Sequence, residues 1–359
     1  MTATEAGTER PVVSVIVPAR NEETSLGACL ASLTAQKGVA FEIIVVDDGS
    51  TDRTREIAGA FPAVQIIEAG PLPEGWSGKN NAVSAGATRA RGDWFLFTDA
   101  DTVHLPYSLV RSLGEARRKH AALLSYSPEQ EVEGFWQKAV MPVIFAELAC
   151  AFQPSQVSDP KSPAAAANGQ YLLVSREAYA ATGGHAAVAG NLLEDVALAR
   201  AVKASGRRIF FRYGGDAVRT RMYRSFAQMR EGWTKNLALL FPSPGRLAAL
   251  RLAEFLLTAA SAEGALMAAL YGRAALAAAA AVLFLICCAL FVARIRRAHF
   301  PSGATAASLL GLPLFAYLLL RSRAAHRRGT VSWKGRSYAA EPPPTGSASA
   351  RAPAASKLA

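Results

Sequence analysis

The chain reads as an α/β protein with a mostly parallel sheet, followed by apolar helices of membrane-spanning length. Three observations point there. Short β-branched runs alternate with helix-length segments through the first two thirds of the chain. Two of those runs end in acidic clusters, Asp47-Asp48 and Asp99-Ala100-Asp101. Beyond Pro244 the composition turns rich in Ala and Leu.

Each element has its own signal. Residues 12–17 are apolar and β-branched and end at Pro18, which predicts a buried strand. Residues 25–36 carry Leu26, Leu30 and Leu33 at helical spacing, and Gly38 ends them. Residues 41–46 are a second strand, and Ser50, Thr51 and Asp52 offer caps for a helix reaching Ala60. Residues 64–67 are a third strand, 81–90 an alanine-rich helix, and 94–97 a fourth strand. Later come a helix over 105–120, a strand over 122–125, and an apolar helix over 134–152, buried in the core or lying at a membrane surface. A strand over 171–174, a helix over 194–205 and a last strand over 209–212 complete this part.

Four segments follow: a flexible N-terminus (1–11), an α/β domain (12–243), a membrane region of two to three helices (244–321), and a basic, then disordered, tail (322–359). The first of these shows no apolar signal-peptide segment. Residues 274–293 carry no charge and reach the roughly 20 residues that cross a bilayer. Residues 303–320 are a second candidate span, interrupted by Gly311 and Pro313. Residues 252–272 are a third, weakened by Glu254 and Glu263.

Cys29, Cys150, Cys287 and Cys288 have neither metal-ligand nor redox spacing and read as apolar filler in a reducing compartment. The net charge of +11 comes with arginine clusters beside the apolar spans, at Arg294, Arg296 and Arg297 and again from Arg321 to Arg328. Such clusters meet anionic lipid head groups, and no nucleic-acid-binding motif accompanies them.

The acidic clusters carry the chemistry. The carboxyl ends of parallel strands share one rim, where ligands bind. Two acidic clusters there supply acceptors for a base or sugar and hard oxygen ligands for a divalent cation. That combination points to a nucleotide-diphosphate site. Read alone, Asp47-Asp48-Gly49 is also compatible with a tight turn, and Asp99 and Asp101 with helix capping.

Five motifs in order tip the balance: Val15-Ile16-Val17-Pro18-Ala19-Arg20-Asn21-Glu22, Asp47-Asp48-Gly49-Ser50-Thr51-Asp52, Gly75-Trp76-Ser77-Gly78-Lys79-Asn80-Asn81-Ala82, Asp99-Ala100-Asp101 and Glu194-Asp195. Together they resemble family 2 glycosyltransferases of the GT-A fold, above all the membrane-attached group that glycosylates lipids, with its hopanoid-associated and carotenoid-type enzymes. The resemblance covers roughly residues 12–240, with an echo at Val331-Ser332-Trp333-Lys334-Gly335-Arg336-Ser337-Tyr338. It implies a Rossmann-like nucleotide-sugar-binding domain and inverting, hexosyltransferase-type transfer from a nucleotide-diphosphate sugar. The acceptor it implies is a polyisoprenoid, hopanoid or carotenoid-like lipid, reached at the cytosolic face of the cell membrane by a multi-pass protein.

Residue by residue, the resemblance puts Asp48 on the base, with Asp47, Pro18 and Glu22 in the same pocket. It makes Asp101 the direct ligand of Mg2+ or Mn2+, with Asp99 nearer the ribose. Lys79 would meet a phosphate, or else be an exposed surface lysine. Asp195 would be the general base and Glu194 would orient the acceptor. A helix N-terminus lowers the basicity of a carboxylate, which sets a tension at Asp195.

Processive polysaccharide synthases carry Gln-x-x-Arg-Trp before their membrane region. Here the chain reads Gln228-Met229-Arg230-Glu231-Gly232-Trp233, a spacing that departs from theirs. Arg230 is then a candidate for the diphosphate and Trp233 for stacking on the acceptor, against plain interfacial anchoring. His104 and His185 read as structural. A processive synthase and a non-catalytic nucleotide-binding membrane scaffold stay open as alternatives.

Overall fold

Val13–Ala19 (β1) is buried along almost its whole length, as a strand covered on both faces must be. In this computed structural model, which describes residues 10–338, β1 pairs in parallel with β2 (Phe41–Asp47), and β2 with β3 (Val64–Glu68). On its other side β1 pairs in parallel with β4 (Trp94–Phe97). Helices α1 (Leu26–Thr34), α2 (Thr54–Gly59) and α3 (Gly78–Arg89) make the connections.

The chain continues through β5 (Thr102–His104), α4 (Ser108–Arg118), β6 (Leu123–Ser127), β7 (Glu129–Gln130), α5 (Gly134–Ala151) and α6 (Pro154–Ser158). Next come β8 (Leu172–Ser175), α7 (Arg176–Ala181), α8 (Glu194–Ala204), β9 (Ile209–Tyr213) and β10 (Val218–Thr220). The main sheet has the order β3-β2-β1-β4-β8-β6-β9. Only β8 runs against its neighbours β4 and β6, so the sheet is mostly parallel. A smaller sheet, β5-β10-β7, flanks it.

Alternation along β1 divides the core. Val15 and Val17 face α1 with Leu26, Leu30 and Leu33, while Ile16 faces the other layer with Val83 and Leu198. A Cβ on Gly86 of α3 would lie 2.5 Å from Ile16 and 2.9 Å from Val46, so only glycine lets α3 seat this closely. That helix starts at Gly78, earlier than its alanine run suggests, because the Ser77 side chain caps it by accepting from Asn80 N. Asn81 donates instead to the carbonyls of Ala69 and Pro71. Asp52 Oδ1 accepts the amide of Thr54, the first residue of α2, and its Oδ2 accepts that of Glu23, so Asp52 holds the start of a helix whose C-cap is Ala60.

After α9 (Phe226–Leu240) come α10 (Pro244–Leu270), α11 (Ala274–Ile295), α12 (Ser302–Ala307) and α13 (Gly311–Arg328). Among the described residues, three helical stretches are long and apolar enough to cross a membrane: Pro244–Leu270, Ala274–Ala298 and Ser302–Arg328. They differ in what they bury. The α11 helix packs along α10 and meets the α/β domain only near its C-terminal end, where Phe291 and Ile295 are buried. Helix α13 spends its apolar face on α5, α9 and α10, burying Leu312, Phe315, Leu318 and Leu319. Helix α5 is core, with Val140, Val143 and Ile144 fully buried.

A four-charge clasp joins α5, α10 and α11. Glu147 lies 2.9 Å from Arg251 and 3.3 Å from Arg294, and Glu254 lies 2.8 Å from each arginine. This accounts for Glu254, costly on a lipid-facing helix, by pairing it. Glu263, by contrast, is exposed.

Residues 322–328 continue α13 rather than opening a tail. The chain then forms a hairpin, β11 (Val331–Trp333) and β12 (Arg336–Tyr338), which returns to the α/β domain. The expectations of a flexible N-terminus (1–11) and a disordered tail fall, for residues 1–9 and 339–359, outside the described residues.

Candidate active site

The carboxyl ends of β1, β2 and β4 form one rim, and the acidic motifs sit on it. Asp47 ends β2 and turns inward to accept the Ser50 amide at 3.2 Å, closing the Asp-Gly turn. That leaves Asp48 for the pocket. Its Oδ1 accepts from Arg336 Nη2 at 3.0 Å, and its Oδ2 meets Arg336 Nη1 in a two-point pair. Glu22, just past β1, pairs with the Lys334 ammonium, which also donates to the Arg20 carbonyl at 3.1 Å. Pro18 lies one register step before the rim, opposite Val46.

The second cluster does not continue as a strand. Thr102 turns the chain by donating both its amide (3.3 Å) and its hydroxyl (2.8 Å) to the Asp99 carbonyl. Simple alternation therefore does not align Asp99 and Asp101 as an extended chain would. Asp99 Oδ1 lies 2.8 Å from Lys79 Nζ. Asp101 Oδ1 is buried with no hydrogen-bond partner. Burial, with Asp99 and Glu22 nearby, pushes the Asp101 carboxyl up to about 7, against the opposing charges of Lys334 and Lys79.

Lys79 stands in the first turn of α3, its Nζ 2.8 Å from both Asp99 and Glu194. Burial opposes its charge, but Asp99, Glu194 and Asp195 outweigh burial and hold the ammonium well above its ordinary range. It is a bridge between two motifs, not a loose surface lysine.

Glu194 and Asp195 open α8. Burial would raise Glu194, yet Lys79 and Lys235 hold it below the usual carboxylate range. Asp195 Oδ2 accepts from Gly169 N at 2.7 Å and Oδ1 from Val196 N at 2.7 Å. Burial, then the charge of Glu194, raises Asp195 to about 6, although Lys79 and both amides oppose the shift. The helix N-terminus lowers basicity, but burial and Glu194 override it.

Two acceptor-side expectations look different in three dimensions. Trp233 is 2% exposed, its ring edge-on to Phe145 and Tyr223 and its Nε1 3.3 Å from Met141 Sδ. It packs the junction between α5 and α9, so it offers no open face for stacking. Arg230, on the same helix, is half-buried and forms no ion pair among the described residues. His104, buried between Thr98 and Thr102, and His185, against Tyr179 and Phe97, are packing residues.

Three cations at the site escaped the sequence reading: Lys334, Arg336 and Lys235. Lys235 of α9 sits 5.6 Å over the Trp333 ring and faces Glu194. The one available signal was the Trp333-Lys334-Gly335-Arg336 echo, with no local cue to its partners.

Among the described residues no group of three or more metal-ligating side chains gathers. Asp99 and Asp101, with the Asp101 oxygen buried and unpaired, fit a cation that takes one or two protein carboxylates and completes its shell with phosphate and water, as Mg2+ does.

Residues 14–172 match the family model described as "Glycosyl transferase family 2". A 4,4'-diaponeurosporenoate glycosyltransferase of Staphylococcus aureus strain USA300 is 30% identical over 234 residues, which cover 63% of this chain and 60% of that relative. The protein of the same name in strain MRSA252 is 28% identical over 337 residues, 91% of this chain and 88% of its own length. Among solved structures, the mannosyltransferase PcManGT from Pyrobaculum calidifontis, in complex with GDP-Man and Mn2+, matches with a TM-score of 0.52 at 19% identity, covering 89% of this chain and 87% of that one. At that identity the likeness concerns the fold, the GT-A arrangement of a mostly parallel sheet. Motifs, sheet and rim agree with that match: residues 14–172 carry a glycosyl transferase family 2 domain.

Proposed function

We propose that this protein is an inverting glycosyltransferase that moves a sugar from a nucleotide-diphosphate donor to a membrane lipid. The observation that carries the reading is the meeting of Asp195 with the Asp99–Lys79–Glu194 chain on one rim. Asp48, Glu22, Asp47 and Pro18 would form the nucleoside end of the donor site. Asp101, with Asp99, would hold Mg2+ or Mn2+. Such an ion, when bound, neutralises charge developing on the departing nucleoside diphosphate.

In the transfer step the acceptor oxygen forms a bond to the anomeric carbon as the bond from that carbon to the diphosphate oxygen breaks. Where the acceptor is a hydroxyl, Asp195 takes its proton from the face opposite the leaving group; a carboxylate acceptor attacks without that transfer. Raised to about 6, it is ionised at neutral pH yet more basic than an ordinary aspartate. Glu194, held ionised by Lys79, keeps negative charge beside the acceptor and does not compete for the proton.

The lipid acceptor rests on two supports. The relatives are named for 4,4'-diaponeurosporenoate. The α10–α11 pair exposes Leu256, Leu257, Leu266, Leu270, Leu283 and Leu285, an apolar surface of the kind that lipid covers. Parity limits the topology. The β11–β12 hairpin touches the rim through Lys334 and Arg336, so the chain between α9 and that hairpin crosses a membrane an even number of times. This supports α10 and α11 as an inserted hairpin, with α13 held against the domain, and the α/β domain and the β11–β12 hairpin together on the cytosolic face.

The test incubates membranes carrying the protein with labelled nucleotide sugars, Mn2+ or Mg2+, and total lipid extract. Metal-dependent label in the lipid phase supports the reading. Label confined to soluble sugars overturns the lipid acceptor, and nucleotide binding without turnover favours a scaffold.

A further inference from the structure

We propose that Lys334 and Arg336 are donor-binding residues, so that the end of the chain forms one wall of the nucleotide site. The inference rests on the donor site described above.

The hairpin is built to deliver two cations to that site. Trp333 pairs with Arg336, which leaves Lys334-Gly335 as a two-residue loop. Both loop residues have positive φ, +47° and +76°, as a tight hairpin turn requires. A lysine is disfavoured at that backbone angle, and strain of this kind concentrates at ligand sites. The hairpin is held from behind by Val331, which packs with Leu192 and Ala325.

The two side chains then reach different ends of the site. Arg336 fits over the bare Cα of Gly78, where a Cβ would lie 1.6 Å from its Nη1 and 2.8 Å from Asp48 Oδ2. Any side chain there would drive the guanidinium off. Lys334 pairs with Glu22, and its charge also reaches Asp101. The hairpin tip thus lies between the nucleoside end and the metal end of the rim.

Charge balance argues that these cations stay when donor binds. Without the hairpin, the rim presents Glu22, Asp48, Asp99, Asp101, Glu194 and Asp195 against two cations, Lys79, whose ammonium already serves two of them, and Lys235, which faces Glu194. A nucleoside diphosphate is itself an anion and would meet net repulsion. The geometry leaves room for both occupants. A carboxylate has about four acceptor positions, and Arg336 uses two on Asp48, so base or ribose donors can take the others. An ammonium has three donors, and Lys334 spends two, on Glu22 and the Arg20 carbonyl. The third is available to a phosphate oxygen.

The experiment titrates UDP and GDP, each with Mn2+, into purified full-length protein in detergent. Wild type is compared with Lys334→Ala, Arg336→Ala, Arg336→Lys and Ser337→Ala, the last at an exposed hairpin position. The alanine variants at 334 and 336 should weaken the nucleotide that wild type binds at least tenfold, with Ser337→Ala unchanged. Arg336→Lys keeps the charge, loses the two-point pair, and should fall between. In turnover, donor KM should rise more than kcat falls. If the melting transition is lost in an alanine variant, Arg336→Lys decides by itself. Unchanged or tighter binding in folded variants overturns the proposal and marks the hairpin as a spectator or a plug. No binding of either nucleotide by wild type overturns the donor-site reading along with it.

Discussion

Glu194 at the start of α8 and Lys79 at the start of α3 form an ion pair of 2.8 Å, with the Glu194 side chain 9% exposed. The same ammonium reaches Asp99 at 2.8 Å. One side chain thereby bridges both carboxylate groups and couples the donor side of the rim to the base.

Removing that ammonium leaves Glu194, Asp99 and Asp195 close together without their shared counter-charge. Lys79→Met should lower stability by about 1–3 kcal/mol, the usual cost of unpairing a partly buried charge. It should also move the acid limb of activity to higher pH, since Lys79 opposes protonation of Asp195. Thermal melts and a pH–rate profile check both.

Asp195 works as a base only when ionised. With its carboxyl raised to about 6, kcat should fall tenfold per pH unit well below 6 and level off above about 7. Asp195→Asn should lower kcat by about 10²–10⁴-fold while donor binding holds, the range for losing a general base. Because burial and Glu194 disfavour the ionised form in the folded state, the folded carboxyl binds its proton more tightly than the unfolded one does. Ionisation therefore costs stability as pH rises from the ordinary carboxylate range through 6. The asparagine variant escapes that cost but turns an NH2 toward one of the two amides that Asp195 accepts, about 1–3 kcal/mol the other way, so it should melt close to wild type at pH 8. A sharp drop in its melting temperature would point to a structural role instead.

Asp101 Oδ1 is buried and unpaired. Asp101→Asn removes a charge that has no direct partner, so the metal-free protein should lose no stability. The stabilisation given by Mn2+ with nucleoside diphosphate should disappear, which melts with and without the metal would read.

The clasp of Glu147, Arg251, Glu254 and Arg294 is 7–19% exposed at its side chains. Arg294→Ala leaves two carboxylates facing one arginine. Breaking a buried ion pair costs about 3–5 kcal/mol, and the α10–α11 pair should loosen from α5. Protease sensitivity between α11 and α12, measured in detergent, should rise.

Trp233→Phe separates core from acceptor contact. A buried ring against Met141 and Phe145 predicts a lower melting temperature with acceptor KM little changed. A selective rise in acceptor KM would restore the stacking role.

What was legible in the sequence was local. Asp48, Asp101 and Asp195 stand at a strand end, a turn and a helix start, and each carries its motif within a few residues. The alternating strands also foretold a mostly parallel sheet, although an apolar run says nothing about direction, and β8 runs the other way. Long-range partners were not legible. Nothing near Lys334 or Arg336 names Glu22 or Asp48, and nothing near Lys79 names Glu194. Composition also made α13 resemble α11, because an apolar face packed on α5 and α9 reads the same as one facing lipid.

The central claim is direct displacement of a nucleoside diphosphate with Asp195 as base, and it fixes the stereochemistry. The measurement is the anomeric configuration of the first product, by proton magnetic resonance, from the donor that labels lipid. Inversion relative to the donor is the predicted result. Retention, or a product formed equally well by Asp195→Asn, would contradict it.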